Sequence, residues 1–520
     1  MRIKPLPFAL SLSKHRPSLT RTVDKKNGAS TGSARTGRGL FTLALFALTA
    51  AADPPVVQVT GGAVRGVQQP DRLLFQGIRF AAPPLAGNRW RAPQPVAPWQ
   101  GVADATREAP ACLQNDYGWN RADHVFASED CLTLAVGTPA LTGKRPVFVW
   151  IHGGSNRAGS GGGMASSSMV GQDIVVVSIQ YRLGIFGFLA HRGAVEDGAS
   201  GNYGLMDQVA ALRWVRENIA KFGGDPANVT IAGESAGAQD VGLLVASPQT
   251  RGLFAKAVMQ SGTPNFGLPV RPLEDALRLG DQVDAALGTG GDIARLRSAS
   301  AASLLAADLK LHDARVTADD YMWLRTTVDG KVIPADPIAL MRRAPPRPIL
   351  IGSNRFELDL PGGRPVRDGF VALSFRTNAE AARRFYGLDR RDPAPDPRMG
   401  TIDQQIATDA TFRCPAGRMA DAVVRLGAPV WRYEFDASRD GEMTAHSREI
   451  PYIWDEERAG GLHLQDYWAN FARTGDPNGS DLPQWPRYDA RTQRHIVFAS
   501  QGASTAAKLR ADICSLTEAL

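Results

Sequence analysis

The stretch GESAG at residues 233–237 has the G-x-S-x-G spacing that places a serine at a sharp turn between a strand and a helix. An apolar run over 229–232 precedes it, and a helical pattern over 236–246 follows it. A serine hydroxyl is a poor nucleophile unless a base lies beside it, and an exposed turn leaves room for that base. A second match at 28–32 has no strand before it. The sequence therefore predicts that Ser235 is the nucleophile of an acyl-transfer reaction.

A base for Ser235 has to come from the histidines that follow it, because sheets with this turn order their catalytic groups as serine, acid and histidine. Four histidines do so: His312, His446, His463 and His495. His446 lies in a polar loop after a strand-like run, where a base can reach the turn. The contexts of His463 and His495 are amphipathic or strand-like, which is typical of packing. We therefore predict that His446 is the base.

The acid that orients the base has to lie between Ser235 and His446 in the chain. Glu357 follows a strand-like run at 348–351 and a short turn. A loop glutamate considered alone is usually solvated, but the carboxyl edge of a strand is the usual place for the orienting carboxylate. We therefore predict that Glu357 is the acid.

Backbone amides for the oxyanion are expected at a glycine-rich turn after an early strand and directly after the nucleophile. The stretch HGGS at residues 152–155 follows a strand-like run that ends at Ile151. Glycines in such a turn let the backbone approach a substrate closely. The sequence thus predicts an oxyanion hole built from this turn and the amide of Ala236.

Apolar runs typical of strands alternate with helical patterns along the chain. The strand-like runs cover 147–151, 174–179, 229–232, 348–351, 430–435 and 495–498. A helical pattern covers 208–222, and the Ala- and Leu-rich segment 271–319 lies between nucleophile and acid, where a helical cap would sit. The alternation predicts an α/β fold with a large, mostly parallel central sheet flanked by helices.

The first 52 residues differ in composition from the rest of the 520-residue chain. They hold nine of the 59 Lys and Arg but one of the 52 Asp and Glu. The net charge of +7 therefore belongs to this leader and gives no support for nucleic-acid binding. An apolar run over 40–52 ends in three alanines and is shorter than the roughly 20 residues that cross a bilayer. We predict a signal peptide that ends near Ala52; the alternative is a buried core segment.

Export would place residues 53–520, which we expect to form a single domain, in a secreted or periplasmic location. No other segment is long and apolar enough to span a membrane. The four cysteines are then expected to form two disulfides, for which three pairings exist. We prefer Cys112 with Cys131 and Cys414 with Cys514, because the partners lie in separate ends of the chain. The alternative is four buried free thiols.

With these residues assembled, the chain resembles the type-B carboxylesterase and cholinesterase family of α/β-hydrolases over residues 57–488. The segments that carry the resemblance are 128–132 with the upstream Cys112, 178–189, 201–237, 260–262, 328–330 and 467–478. The longest of them, GNYGLMDQVAALRWVRENIAKFGGDPANVTIAGESAG, follows the family pattern almost without a gap.

The resemblance implies an α/β-hydrolase fold with a helical cap region. It implies Ser235 as the nucleophile, His446 as the base and Glu357 as the acid. The amides that it implies for the oxyanion hole are those of Gly154, Ser155 and Ala236. It further implies a small-molecule ester as the substrate and neither a cofactor nor a metal. The oligomeric state is not indicated.

Two positions in the oxyanion turn depart from the family pattern. Ser155 stands where glycine or alanine is usual, and Asn156 stands where an aromatic residue is common. We expect the hydroxyl and the carboxamide to face the acyl group, where a long alkyl chain would leave them without partners. The departures therefore predict a preference for polar or short acyl groups.

Two functions fit these features. One is a serine carboxylesterase that hydrolyses carboxylic esters through an acyl-enzyme intermediate. The other is a non-catalytic binding or adhesion protein on the same fold, because the family includes members that have lost the triad. The presence of Ser235, Glu357 and His446 together favours the enzyme.

Overall fold

The strand-like runs of the sequence pair side by side in one large mixed sheet. The structure, a computed structural model, describes residues 53–195, 200–316, 319–389, 392–438, 443–455 and 462–517. The strands, in chain order, are β1 Val56–Val59, β2 Gly62–Arg65, β3 Val67–Gln68, β4 Leu73–Arg79, β5 Val102–Asp104, β6 Ala111–Cys112, β7 Ala127–Ser128, β8 Thr133–Thr138, β9 Arg145–Ile151, β10 Val175–Ile179, β11 Gly224–Glu234, β12 Lys256–Gln260, β13 Arg271–Pro272, β14 Thr327–Val328, β15 Ile349–Asn354, β16 Val430–Asp436, β17 Arg494–Ala499 and β18 Gly502–Ala507.

The large sheet has the strand order β18-β17-β16-β15-β12-β11-β9-β10-β8-β4-β3. The neighbours from β17 through β10 are parallel, and the pairs beyond them on both sides are antiparallel. The predicted α/β fold with a mostly parallel central sheet is confirmed. Because parallel strands end at one edge, the loops that follow β9, β11, β15 and β16 converge there.

Helices cover both faces of the sheet. They are α1 Arg121–Val125, α2 Gly184–Phe188, α3 Tyr203–Asn218, α4 Ala236–Ala246, α5 Leu273–Leu287, α6 Ile293–Ser298, α7 Ala301–Asp308, α8 Pro337–Met341, α9 Gly363–Phe375, α10 Ala379–Tyr386, α11 Ile402–Thr408, α12 Cys414–Arg425, α13 Ile450–Trp454, α14 Leu464–Thr474 and α15 Ala511–Ser515. The segment predicted as a helical cap contains α5, α6 and α7. The helix predicted over 208–222 begins earlier, at Tyr203, and ends in a 3₁₀ turn over 219–222.

The core explains why the central strands are almost continuously apolar. In β9, Val147, Val149 and Ile151 pack into the cluster that also holds α3 and α4. Phe148 and Trp150 point to the opposite face and pack with α13 and α14. Successive side chains of a strand alternate between the two faces, so a strand covered on both sides needs apolar residues at every position.

Both preferred cysteine pairs form disulfides. Cys112 and Cys131 lie with their Cα atoms 5.0 Å apart and close the loop that contains α1. Cys414 and Cys514, with Cα atoms 4.9 Å apart, join the start of α12 to α15. No helix within the described ranges has the length and apolar character needed to cross a bilayer. The predicted signal peptide at 1–52 lies outside the described residues.

Candidate active site

Ser235 occupies a strained turn between the last residue of β11 and the first residue of α4. Its backbone angles are φ 56° and ψ −124°, a region that residues with a Cβ seldom adopt and that is found at functional sites. Its N–H donates to the carbonyl of Gln260 over 2.9 Å, and its carbonyl accepts from Gln239 over 3.0 Å. These two hydrogen bonds hold the turn from both sides. The side chain of Ser235 lies where the parallel strands end, at the carboxyl-terminal edge of the sheet.

Glycine is required next to this turn because α4 starts against the end of β9. A Cβ on Gly237 would lie 2.1 Å from the carbonyl oxygen of Ile151, a backbone atom that cannot move aside. The small flanking residues of the G-x-S-x-G motif therefore allow the close approach of helix and strand on which the turn depends.

The predicted acid and base lie together on the loops that follow β15 and β16. Nδ1 of His446 lies 2.6 Å from Oε2 of Glu357. The other oxygen of Glu357 accepts the N–H of Asn354 over 2.7 Å, and the backbone N–H of His446 donates to the carbonyl of Glu357 over 3.1 Å. Both side chains are buried. The carboxylate thus fixes the imidazole with its proton on Nδ1, which leaves Nε2 for proton transfer.

Nε2 of His446 contacts a residue that sequence reasoning did not single out. It lies 3.1 Å from Oε1 of Glu234, which also accepts the hydroxyl of Ser447 over 2.7 Å. Within the described part of the chain, Ser235 Oγ and His446 make no hydrogen bond. The signal in the sequence was the second position of the G-x-S-x-G motif itself, an acidic residue at the end of a buried strand.

Burial and charge together set the ionisation of His446 and Glu234. Burial lowers the pKa of His446, but the carboxylates of Glu234 and Glu357 outweigh it, and the net shift is upward. Burial raises the pKa of Glu234, and the neighbouring His446 opposes that shift. Because Nδ1 already donates to Glu357, a second proton has to lie between Nε2 and Glu234 for their contact to be attractive. The two groups therefore titrate as a pair.

A third carboxylate, that of Glu449, lies near the acid Glu357. Sequence reasoning did not single it out either. It is fully buried and accepts the side-chain amides of Asn354 over 3.0 Å and Gln260 over 3.2 Å. Burial and the charge of Glu357 raise its pKa. Its hydrogen bonds hold Asn354, whose backbone N–H in turn binds Glu357, so Glu449 supports the acid indirectly.

The predicted oxyanion turn lies beside Ser235. A Cβ on Gly153 would lie 3.0 Å from the Cβ of Ser235. Gly154 has φ +107°, and a Cβ there would lie 2.1 Å from the carbonyl oxygen of Ala158. Among the described residues, the amides of Gly154, Ser155 and Ala236 have no hydrogen-bond acceptor. Free N–H groups beside a serine can stabilise an oxyanion that forms there.

Asn156 does not face the acyl group, and the expectation that it does is wrong. Its side chain is 2 % exposed. Its amide donates to Oδ1 of Asp240 over 3.2 Å, and its carbonyl oxygen lies 3.2 Å from the hydroxyl of Tyr181. The left-handed backbone at this residue, φ 55°, turns the side chain inward. Ser155 is half-buried and next to the proposed amides.

Two environments of different chemistry flank Ser235. One is an apolar cluster that contacts Ala236, and in it the ring of Phe412 lies 5.1 Å from the imidazole of His446. Its members are Ala236, Phe266, Leu268, Val316, Leu324 and Phe412. The other is a pocket of about 330 Å³ that borders Gly154 and Glu234 and is lined by aromatic and acidic side chains, among them Trp119 and Asp123. Burial, with the charge of Glu108, raises the pKa of Asp123 to about 6.

The other three histidines that follow Ser235 in the chain pack or pair elsewhere. His495 is buried in β17, as its strand context predicts. His463 precedes α14 and pairs with Asp466 over 3.2 Å. His312 is exposed and pairs with Asp319 over 2.9 Å.

Known proteins match this chain over most of its length. A family described as "Carboxylesterase family" matches residues 53–517. Carboxylesterase 4A of Bos taurus is 32% identical over 499 residues, covering 84% of this chain and 90% of that protein. Fumonisin B1 esterase of Sphingopyxis macrogoltabida is 32% identical over 513 residues, covering 89% and 91%. Among solved structures, a PNB esterase has 30% identity and a TM-score of 0.76, covering 89% of this chain and 99% of that one. A Geobacillus stearothermophilus carboxylesterase has 32% identity and a TM-score of 0.72, covering 89% and 100%.

Proposed function

This chain belongs to the carboxylesterase family, and we propose that it hydrolyses carboxylic esters through an acyl-enzyme formed on Ser235, with His446 as base and Glu357 as acid. The observation that carries the proposal is the 2.6 Å contact between His446 and Glu357 at the sheet edge on which Ser235 stands. A nucleophile at a strained turn and a base oriented by a buried carboxylate are the parts that serine acyl transfer requires.

In the proposed reaction, Nε2 of His446 takes the proton of Ser235 as Oγ attacks the ester carbonyl carbon. The carbonyl oxygen becomes an oxyanion that the amides of Gly154, Ser155 and Ala236 stabilise. His446 then gives its proton to the departing alcohol, and the acyl group stays on Ser235. Water attacks the acyl-enzyme in the same way and releases the carboxylic acid.

Glu234 has a defined part in this scheme. Nε2 of His446 can accept the proton of Ser235 only when it does not itself hold the proton that it shares with Glu234. The shared proton then has to lie on the carboxyl group of Glu234, or it has to dissociate from both groups. Burial raises the pKa of Glu234, so this side chain can hold the proton while His446 is neutral. The neutral acid also avoids placing a second negative charge next to the forming oxyanion.

We further propose that the protein is exported and that residues 53–520 act as one catalytic domain after removal of the leader. Two disulfides are compatible with this location. N-terminal sequencing of protein from the native host should find a start near Asp53. Recovery of a mature form with residues 1–40 intact would refute export.

The test of the function is turnover of p-nitrophenyl esters of varied acyl length, with fumonisin B1 added because one relative is named as its esterase. Ser235→Ala should lower kcat by about 10³-fold or more, and a fluorophosphonate should label Ser235 alone. Ser298→Ala, at an exposed serine, is the matched control and should change neither result. Near-normal turnover by Ser235→Ala would point to another nucleophile, whereas an unmodified protein that turns over none of these esters would favour the binding-protein alternative.

A further inference from the structure

Asn156 ties the oxyanion turn to the helix that follows the nucleophile. It comes directly after Ser155, and its side-chain amide donates to Oδ1 of Asp240, which lies in α4, over 3.2 Å. Its backbone carbonyl accepts the N–H of Gly184 over 2.7 Å. Asn156 is therefore held at both its side chain and its backbone.

Asp240 is a buried carboxylate that the proposed reaction does not use. It is fully buried, and its second oxygen accepts the side-chain amide of Gln208. Burial raises its pKa to about 7, and the amides of Gln208 and Asn156 oppose that shift. Both oxygens accept from amide N–H groups, so the ionised carboxylate is the form that satisfies both donors.

The turn needs such support because its backbone is strained. Ser155 and Asn156 both have positive φ, 56° and 55°, and each residue held in this region costs about 1–3 kcal/mol that its surroundings have to offset. Tyr181 contributes from the other side, since its hydroxyl lies 2.8 Å from the carbonyl of His152 and 3.2 Å from Oδ1 of Asn156.

We propose that the Asn156–Asp240 hydrogen bond is a positioning clamp that sets the amides of Gly154 and Ser155 at the distance from the Ala236 amide that the oxyanion requires. The two sets of donors come from separate elements, the turn after β9 and the start of α4. A direct side-chain bond between these elements fixes their relative position, and a shift of about 1 Å in such a site can cost roughly 10²-fold in rate. The inference rests on the proposed function, in which these amides bind the oxyanion.

Exchange of the two side-chain types gives a sharp test. In Asp240→Asn, the one oxygen of the introduced amide can accept from either Gln208 or Asn156. Its NH₂ group then faces the NH₂ group of the other residue, so one of the two hydrogen bonds is lost. In Asn156→Asp, the introduced carboxylate lies against the carboxylate of Asp240, and neither can donate a hydrogen bond to the other. The double variant Asn156→Asp, Asp240→Asn restores every bond, because the new amide at 240 donates to the new carboxylate at 156 and accepts from Gln208.

We expect each single variant to lower kcat by about 10-fold or more with little change in KM, and the double variant to recover most of the loss. The inhibition constant of an alkyl boronic acid, which forms a tetrahedral anion on serine, should rise in the single variants and recover with kcat. Activity is expressed per site labelled by the fluorophosphonate, so a loss of folded protein does not count as a loss of rate. Asn218→Asp is the matched control: its buried side chain bonds Thr60 and Trp214, so it should lower Tm but not kcat.

If the single variants fold poorly, Asp240→Ser removes the clamp without adding charge and should show the same loss of kcat and of boronate affinity. Single variants with normal kcat and normal boronate affinity would overturn the clamp, as would a folded double variant that recovers neither. Failure of the proposed function gives a different pattern, in which Ser235→Ala keeps its activity and the fluorophosphonate does not label Ser235.

Discussion

Oε1 of Glu234, on the residue directly before Ser235, lies 3.1 Å from Nε2 of His446. Because the imidazole already donates from Nδ1 to Glu357, this contact places a carboxyl group where the proton of Ser235 has to arrive. The protonation of Glu234 therefore decides whether His446 is available as a base.

This relationship predicts a shifted pH profile for Glu234→Gln. Burial lowers the pKa of His446, but the negative charge that Glu234 carries while His446 is protonated raises it. The base works only when it is neutral, so kcat/KM should rise with pH as His446 loses its proton. In Glu234→Gln the charge is gone, so the pKa of His446 falls and the rise in kcat/KM should move to lower pH. The measurement is kcat/KM against pH for one ester. Glu217→Gln, at an exposed site on α3, is the control, and an unshifted profile in Glu234→Gln would contradict the prediction.

Gly237→Ala should disrupt the nucleophile turn. The new Cβ would lie 2.1 Å from the backbone oxygen of Ile151, so α4 or β9 has to move, and we expect lower Tm and a loss of kcat. Gly369→Ala is the matched control, because Gly369 is exposed in α9 with open space around it. That variant should be neutral or more stable by about 0.5–1 kcal/mol. Equal behaviour of the two variants would show that contact with Ile151 is unimportant.

Asp313 should stabilise the fold in a pH-dependent way. It binds the buried guanidinium groups of Arg271 over 2.8 Å and Arg325 over 2.6 Å. Burial opposes ionisation of Asp313, but these arginines outweigh it and lower the pKa to about 2. The stabilisation is therefore complete above the unfolded pKa of about 4 and is lost as the pH falls through about 2.

Asp313→Asn should lower the free energy of unfolding by about 3–5 kcal/mol near neutral pH. It breaks the buried ion pairs and leaves Arg325 with only the 4.0 Å contact to Asp275 among the described carboxylates. Denaturant unfolding at several pH values measures the effect, and the difference from the unmodified protein should shrink in acid. The exposed Asp481→Asn is the control. A difference that does not vary with pH would argue against the ion pair as the cause.

Because the side chain of Asn156 points inward to Asp240, the predicted preference for short or polar acyl groups depends on Ser155 alone. If its hydroxyl faces a bound alkyl chain, the unpaired group costs about 1–3 kcal/mol. Ser155→Ala should then raise kcat/KM for octanoate relative to acetate esters by about 10-fold. A ratio unchanged from that of the unmodified protein would mean that the hydroxyl points elsewhere.

The sequence by itself determined the strand–turn–helix around Ser235, the order of the three predicted catalytic residues and the mostly parallel sheet. These features depend on local patterns: the period of apolar residues, the small residues of the turn and the position of polar loops after strands. The structure places α4 at the predicted Ala236–Ala246 and brings Glu357 and His446 into contact. The cysteine pairs are also as predicted.

Only the tertiary structure decided where the polar side chains of the site point. Asn156 turns inward to Asp240, Glu234 meets a histidine more than 200 residues away in the chain, and Glu449 supports the acid through Asn354. Side-chain direction in loops depends on local backbone angles and on partners from distant segments. A sequence pattern specifies which elements form, whereas the packing of those elements selects the partner of each buried polar group.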